Sequence, residues 1–411
     1  MYQHSPDRNA VFTNYAIPHD WAYDAKAQIN GGLALAGNTL LFTTFGHQLV
    51  ALDVRSGREL WHAPVGNIAM STPIVAGNTV YIGTGRNGVL ERNWNIPLKL
   101  EFGNRVLWGA KGGDEVSAFD LKTGARKWAH RTVGENMPSA VYQNGRLIFA
   151  NGDWRAYALR ADTGRQLWAT DVGGVSTMAN AVLAGGEVVV SVCTDGMRKS
   201  SAVALDPANG KILWRSPYGH CDASPAYGAG KVFTSTVSPG DTMLQGKTVV
   251  AALDAKTGKA VWVYRSTKQG LWSTVGSSEA AVAGTYANGT YYQSAPFDDR
   301  LMAFDASSGR IKWNFQTSGP VKMSPVVANG RVYVGDTAGL LYTLDARTGA
   351  LLELREFNKP FATSPPIVAG NRMLIVNGST VAAIPVSGRP AAIKGVGWAV
   401  MGSRGPQRSG Q

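Results

Sequence analysis

Three side chains with oxygen ligands occupy related positions in the sequence and could together bind a cation. When the chain is aligned on the glycine of each small-residue hairpin, Glu135, Asn180 and Asp222 fall within a few residues of one another, each ahead of its own hairpin. Their aligned positions are an even number of residues apart, which places them on one face of an extended strand. A carboxylate, an amide and a second carboxylate suit a hard cation such as calcium. The alternative is that these side chains satisfy exposed strand ends and bind water.

Two further groups near these positions carry other chemistry. Lys322 aligns with Asp222, so the two could form an ion pair, or Lys322 could stabilise a bound anion. His220 and Cys221 adjoin Asp222, and Cys193 lies one repeat earlier, which suggests a soft-metal site. Zinc and copper sites need three or four such ligands. Two buried cysteines, or a single disulfide between them, are therefore the favoured interpretation.

A repeated turn indicates which elements must position these residues. The unit is Ala-Leu/Phe-Asp, a few residues, Thr/Ser-Gly, three residues and then Trp. The turn glycines recur at intervals of about 40–50 residues, with one longer interval, which is the period of a β-propeller blade. Asp can accept hydrogen bonds from the amides of the turn, Gly supplies a positive φ, and Trp offers a flat surface between blades. The blade-opening tryptophans are Trp21, Trp61, Trp128, Trp168, Trp214, Trp262 and Trp313, and Glu353 stands at the remaining position.

These units predict an all-β fold, an eight-bladed β-propeller of four-stranded antiparallel blades. Short strands lie between the turns, and Asn329-Gly330 is a hairpin signal. The propeller is predicted to span residues 20–388, with an insertion at about 86–113 in the second blade. Residues 1–19 form an N-terminal segment that could help to close the ring, and residues 389–411 form a basic tail.

The turns, together with Val80-Tyr81-Ile82-Gly83-Thr84-Gly85, resemble the tryptophan-docking repeats of the pyrroloquinoline quinone (PQQ) propeller superfamily. The resemblance covers about residues 20–388 and implies a propeller of the PQQ-repeat type. It also implies one of two kinds of protein. Quinoprotein alcohol and sugar dehydrogenases hold PQQ and a calcium ion at the propeller axis. Non-catalytic relatives include the accessory propeller of the bacterial outer-membrane β-barrel assembly machinery.

The stretches that correspond to the enzymes' motifs are altered in this chain. After Gly-Thr-Gly those enzymes carry an Asn that binds calcium, and Arg86 stands at that place here. Their Asp-rich, Trp-containing catalytic stretch is replaced by residues 134–138, and their pair of adjacent cysteines is missing. We therefore expect a non-catalytic binding or assembly scaffold with no cofactor. The alternative is a PQQ- and calcium-dependent dehydrogenase of an alcohol or sugar, with Glu135, Asn180 and Asp222 at the calcium and Lys322 or Arg86 near the quinone.

Composition and charge limit the classes of protein, the location and the partners that are compatible with this chain. The 411 residues are 44% hydrophobic and carry a formal net charge of +12, so the chain can build a large core and is not disordered. Its cations are scattered over turn positions and favour an acidic partner, whereas the aromatic interleaving of a nucleic-acid surface is lacking. The sequence contains no run of about 18 apolar residues, so it predicts no membrane-spanning helix. We expect a periplasmic or secreted protein whose leader is absent from this chain, with an envelope protein as its partner.

Overall fold

Each repeat forms an antiparallel sheet of four strands, and eight such sheets make up the ring. The computed structural model describes residues 11–12, 15–85, 89–91, 107–108, 113–194, 199–239, 245–271, 282–388 and 402–404. The predicted all-β, eight-bladed propeller is confirmed. Within these ranges the helical structure is a single 3-10 turn, Pro296–Asp298.

The strands follow one another in chain order around the ring. Two strands precede the first blade: β1 (Val11–Phe12) and β2 (Trp21–Asp24). Blade 1 contains β3 (Ala34–Ala36), β4 (Thr39–Thr44), β5 (Gln48–Asp53) and β6 (Glu59–Pro64). Blade 2 contains β7 (Ile74–Ala76), β8 (Thr79–Thr84), β11 (Glu115–Asp120) and β12 (Arg126–Arg131), with the small hairpin β9 (Val89–Glu91) and β10 (Leu107–Trp108) between its second and third strands. Blade 3 contains β13 (Val141–Gln143), β14 (Arg146–Ala150), β15 (Arg155–Arg160) and β16 (Gln166–Asp171). Blade 4 contains β17 (Val182–Ala184), β18 (Glu187–Thr194), β19 (Lys199–Leu205) and β20 (Ile212–Ser216).

The second half of the ring repeats the pattern. Blade 5 contains β21 (Ala226–Gly228), β22 (Lys231–Pro239), β23 (Gln245–Asp254) and β24 (Ala260–Arg265), and β25 (Gly270–Leu271) pairs with β23. Blade 6 contains β26 (Thr285–Ala287), β27 (Thr290–Ala295), β28 (Arg300–Asp305) and β29 (Ile311–Gln316). Blade 7 contains β30 (Val326–Ala328), β31 (Arg331–Gly335), β32 (Leu340–Asp345) and β33 (Leu351–Glu356). Blade 8 contains β34 (Ile367–Ala369), β35 (Arg372–Asn377) and β36 (Thr380–Pro385), and its fourth strand is β2.

The repeated turn has the hydrogen bonds that its residue types predict. In blade 7 the Asp345 carboxylate accepts hydrogen bonds from the backbone amides of Arg347 and Thr348, at 3.0 and 2.8 Å. Gly349 closes the turn with a φ of 73°, a conformation that strains other residues. The hydrogen bonds that define the turn therefore lie within the turn itself.

Tryptophan and glycine meet at seven of the eight seams between blades. At the seam of blades 4 and 5, the Trp214 indole lies against Gly258, and its Nε1 donates to the carbonyl oxygen of Ala255 at 2.8 Å. A side chain at the glycine would collide with the ring, so the two residue types require each other. The same pairing joins Trp21 to Gly57, Trp61 to Gly124, Trp128 to Gly164, Trp168 to Gly210, Trp262 to Gly309, and Trp313 to Gly349.

The seam between blades 7 and 8 has a different chemistry. Glu353 stands at the Trp position and accepts a hydrogen bond from the amide of Gly388 at 3.1 Å. Arg355, two residues further along β33, is fully buried, and its guanidinium donates to the carbonyl oxygens of Pro385 and Val386 at 2.8 and 3.3 Å. Burial lowers the pKa of Arg355. A buried cation thus takes over the donor role that the indole has at the other seams.

The two ends of the described chain attach to the last two blades. β2 pairs antiparallel with β36 and completes blade 8 as its outer strand. β1 pairs parallel with β34, the innermost strand of that blade. β37 (Gly402–Arg404) adds to the outer edge of β33 in blade 7. Trp398, in the predicted tail, lies outside the described residues.

Candidate functional site

The predicted site residues lie in the loops that lead into the first strand of each blade. Glu135, Asn180, Asp222 and Lys322 fall between the last strand of one blade and the first strand of the next, in blades 3, 4, 5 and 7. They do not lie on the strands themselves. In most repeats a proline, such as Pro225, precedes the first strand, and its missing N–H delays the start of the ladder. The acids therefore stand on loops at the end of the inner strands.

The small polar side chains of these loops form a hydrogen-bonded relay from blade to blade. The amide of Gly32 donates to Thr72 Oγ1 at 3.0 Å, and the amide of Thr72 donates to Ser139 Oγ at 2.8 Å. The amide of Ser139 donates to Asn180 Oδ1 at 2.6 Å, and the amide of Asn180 donates to Ser224 Oγ at 2.9 Å. Because each link joins neighbouring blades, the relay ties the first five blades together. The amide oxygen of Asn180 thus has a defined structural role.

Glu135 is a buried acid without a matching donor. Its side chain is completely buried, and neither carboxylate oxygen has a hydrogen-bond partner among the residues that the structure describes. Burial raises the pKa of Glu135 well above its usual value, and the charges of Asp114 and Asp222 raise it further. Gly85 lies directly against Glu135, because a Cβ atom added to Gly85 would stand only 2.5 Å from the Cβ of Glu135. The backbone of blade 2 therefore packs closely over this side chain.

Asp222 lies in a dense polar environment next to His220. Thr177 donates its hydroxyl to Asp222 Oδ1. His220 Nδ1 lies 3.7 Å from Asp222 Oδ2 and accepts a hydrogen bond from the amide of Asp222 at 3.2 Å. Burial lowers the pKa of His220, and the Asp222 charge opposes that shift. Two carboxyls from different loops, Glu135 and Asp222, thus share one electrostatic environment with a buried imidazole.

A disulfide joins Cys193 to Cys221 and links blade 4 to the loop that enters blade 5. Both cysteines are fully buried, and their Cα atoms are 5.2 Å apart. The sequence left the pairing open, and the structure gives the single bridge. The ligand atoms of Cys193, His220 and Cys221 lie within 4.8 Å of one another, which holds for no other trio of His, Cys, Asp or Glu in the part of the chain that the structure describes.

The remaining predicted residues lie further away or outside the described ranges. Lys322 is partly buried in the loop entering blade 7, two blades beyond Asp222. Arg86 lies outside the described residues. Sequence reasoning did not assign Asp114 or Thr177 to the site. Asp114 ends the insertion, and Thr177 falls between two aligned positions, so neither stood out by spacing.

Fold and repeat chemistry together define a PQQ-repeat propeller. The chain belongs to the family described as "Outer membrane protein assembly factor BamB", whose profile matches residues 19–96, 112–262 and 198–394.

Individual relatives are more diverse. The chain is 26% identical to tetrathionate hydrolase of Acidithiobacillus ferrooxidans over 82% of its own length and 68% of the relative's. It is 24% identical to the assembly factor BamB of Bordetella pertussis over 79% of its own length and 85% of that protein. It is 26% identical to a polyvinylalcohol dehydrogenase of Sphingopyxis sp. over 46% of its own length and 35% of the enzyme. These relatives include both assembly factors and enzymes.

Solved structures agree with the fold. The crystal structure of BamB from Moraxella catarrhalis superposes with a TM-score of 0.62 at 16% identity, covering 90% of this chain and 99% of that one. A quinohemoprotein alcohol dehydrogenase from Pseudomonas putida gives a TM-score of 0.51 at 12% identity. In the described ranges, no helix has the length and apolar character needed to cross a membrane.

Proposed function

We propose that this propeller is a binding scaffold of the bacterial cell envelope that acts without catalysis of its own. The observation that carries the proposal is the extent of the match to assembly factors. The family profile runs through nearly the whole ring, and the B. pertussis factor corresponds to this chain over most of both proteins. The quinone-dependent alcohol dehydrogenase of Gluconacetobacter polyoxogenes corresponds to only 31% of this chain and 19% of its own.

The outer strands supply a surface for such a partner. In each outer strand, one residue stands directly before the Trp position. In blades 3, 4 and 5 this residue is apolar and exposed: Leu167 is 38% exposed, Leu213 43% and Val261 48%. Cations stand in the adjoining turns, Arg165 in blade 3, Lys211 in blade 4 and Lys259 in blade 5, and the chain as a whole is strongly basic. A partner that presents apolar side chains flanked by acidic ones would complement this rim. We place the partner among envelope proteins, as the names of the assembly-factor relatives suggest.

Site-specific photo-crosslinking tests the scaffold. A photoreactive residue at position 213 or 261 should give a covalent product with one envelope protein in intact cells, identified by mass spectrometry. The yield should fall as salt rises, because exposed charges are screened within about 10 Å at 0.1 M salt. Position 352 is the matched control, since Leu352 has the same place in blade 7 and is 38% exposed, but β37 occupies the strand edge beside it by pairing with Leu354, Arg355 and Glu356. Equal products from positions 213 and 352, or none from either, would contradict the proposal.

A second candidate function, chemistry at the buried acids, is supported by one observation. Glu135 buries both carboxylate oxygens without a partner, which costs about 1–3 kcal/mol. Such strongly perturbed groups concentrate at functional sites. One relative that matches most of this chain is a tetrathionate hydrolase, so hydrolysis of a polythionate is the first reaction to test.

Oxidation of an alcohol or sugar is the other reaction to test at this site. The orphaned oxygens of Glu135 fit a hard cation such as calcium. In that case Glu135 and Asp222 would hold the ion, with Lys322 near the quinone, and PQQ would supply the electron acceptor. Lys322 would offset negative charge on the bound group.

Two assays on the purified protein separate these functions. One follows thiosulfate release from tetrathionate between pH 3 and 8, and the other follows dye reduction with PQQ, calcium and an alcohol or aldose. Glu135→Gln should abolish whichever activity is present. Glu115→Gln is the matched control, because Glu115, in β11 of blade 2, is also a buried acid but is paired with Arg126 at 2.8 Å. No activity in either assay would remove the second candidate and leave the scaffold.

A further inference from the structure

We propose that Cys193, Cys221 and His220 form a binding site for a soft or borderline metal ion, such as Zn²⁺, when the disulfide between the two cysteines is reduced. The proposal goes beyond the scaffold function and does not depend on it. It concerns a cluster that neither the turns nor the blade seams require.

The three ligand residues already lie close together. Their donor atoms lie within 4.8 Å of one another. Two sulfurs bound tetrahedrally at 2.3 Å from a zinc ion are about 3.8 Å apart. Breaking the S–S bond and moving the sulfurs apart by less than about 2 Å therefore makes a pocket for the ion.

The backbone around the cluster is held by hydrogen bonds that do not involve the S–S bond. Cys193 exchanges two backbone hydrogen bonds with Val175, at 2.8 and 2.9 Å. The carbonyl oxygen of Cys221 accepts from the amides of Met178 and Ala179, at 2.9 and 2.6 Å. The carbonyl oxygen of His220 accepts from the amide of Ala223 at 2.9 Å. Reduction would therefore leave all three ligands in place.

The surroundings of the two cysteines favour a bound cation once the disulfide is reduced. Both cysteines are fully buried and His220 is almost so, so two thiolates would be costly there without a compensating charge. The imidazole of His220 lies beside the two sulfurs and offers a nitrogen as the third ligand. His220 Nδ1 accepts a hydrogen bond from the amide of Asp222 at 3.2 Å, which fixes the orientation of the ring beside the two sulfurs.

A dithiol can reduce the disulfide between Cys193 and Cys221. The dithiol gives two electrons and two protons to the disulfide and becomes a cyclic disulfide, while Cys193 and Cys221 become thiols. A divalent ion then displaces both thiol protons to the solvent. A small-molecule disulfide, such as oxidised glutathione, can take the two electrons back and leave as two thiols; the bridge then forms again and the ion is released, because a disulfide sulfur is no longer a thiolate ligand.

Cobalt is the probe, because Co²⁺ bound to thiolates absorbs in the near ultraviolet and visible. The full chain is purified from a reducing cytoplasm and divided into a portion kept in dithiothreitol and a portion oxidised to form the bridge. The reduced portion should bind one Co²⁺ per chain, with thiolate-to-cobalt charge-transfer absorption that Zn²⁺ bleaches. The oxidised portion should show no such absorption.

Variants locate the ion. His220→Ala should weaken binding by about tenfold or more, and Cys193→Ser with Cys221→Ser should abolish the charge-transfer absorption. His130→Ala is the matched control. His130 is a partly buried histidine on β12, the outer strand of blade 2, whereas the cluster lies between blades 4 and 5. His220→Ala retains both cysteines, so it remains informative if the double variant fails to fold. Absence of cobalt binding by the reduced protein, equal binding by the oxidised protein, or unchanged affinity in His220→Ala would each overturn the proposal.

Discussion

Replacing Glu135 by Gln should stabilise the protein, and the gain should grow with pH. The glutamate is buried without a hydrogen-bond partner and faces the charges of Asp114 and Asp222. Glutamine has nearly the same shape and no charge. The substitution therefore removes the cost of ionising a buried carboxyl and leaves the packing around it almost unchanged.

The direction follows from the raised pKa of Glu135. Between 4.5, the ordinary pKa of this carboxyl, and its raised pKa in the folded protein, the folded state holds a proton that the unfolded chain has released. Unfolding then releases a proton, so stability falls as pH rises through this window. Each pH unit in the window costs about 1.4 kcal/mol. We therefore expect the stability of Glu135→Gln to differ little from the wild type at pH 4 and to exceed it at pH 8, because the wild type alone loses stability as pH rises through the window.

Urea unfolding of both proteins at several pH values between 4 and 8 measures this difference. The control, Glu115→Gln, should have the opposite sign, because it removes the carboxylate that Arg126 and the Ser117 hydroxyl bind at 2.8 and 2.7 Å. Parallel stability curves for the wild type and Glu135→Gln across this range would refute the reasoning. A loss of stability in Glu135→Gln at pH 8 would refute it as well.

Three further predictions concern the ring itself. Trp214→Ala should cost about 3–5 kcal/mol in urea unfolding, because it empties the seam over Gly258, and a cost below 1 kcal/mol would contradict the docking role. Reducing the Cys193–Cys221 bridge, which spans 28 residues, should lower stability in the absence of metal by about 3–4 kcal/mol; equal midpoints for the oxidised and reduced protein would argue against this. Deleting the chain through residue 24 should lower the melting temperature by removing β2 from blade 8. A peptide of residues 15–31 should restore it in trans, and a deletion without thermal effect would show that β2 is dispensable.

The ring could be predicted from sequence because its determinants are local and repeated. Asp, Gly and Trp recur in one short unit, and each seam reuses the same contact, as between Trp262 and Gly309. The departure at Glu353 was visible, but its compensation by Arg355 was not. Nothing in the spacing shows that a charged residue two positions further along will turn into the seam.

The candidate site could be predicted only in part. Alignment on the hairpins brought Glu135 and Asp222 together, and the structure places them in one electrostatic environment. Their position on loops was missed, because a strand periodicity was extended past the prolines that end it. Thr177 and Asp114 become neighbours of these acids only through the curvature of the ring, which depends on contacts between residues far apart in sequence.

The composite eighth blade also has a consequence for the order in which the molecule forms. Trp21 pairs with Ala383, so the partner strand of β2 is made only after almost all of the ring has been synthesised. Until then the growing chain is an open arc whose two terminal sheets expose the apolar faces that the closed ring conceals. Closure brings together ends that are far apart along the chain, at an entropic cost that rises only slowly with that distance. The last strand to find its place is therefore among the first to be made, and until closure the open arc is the form that chaperones and proteases encounter.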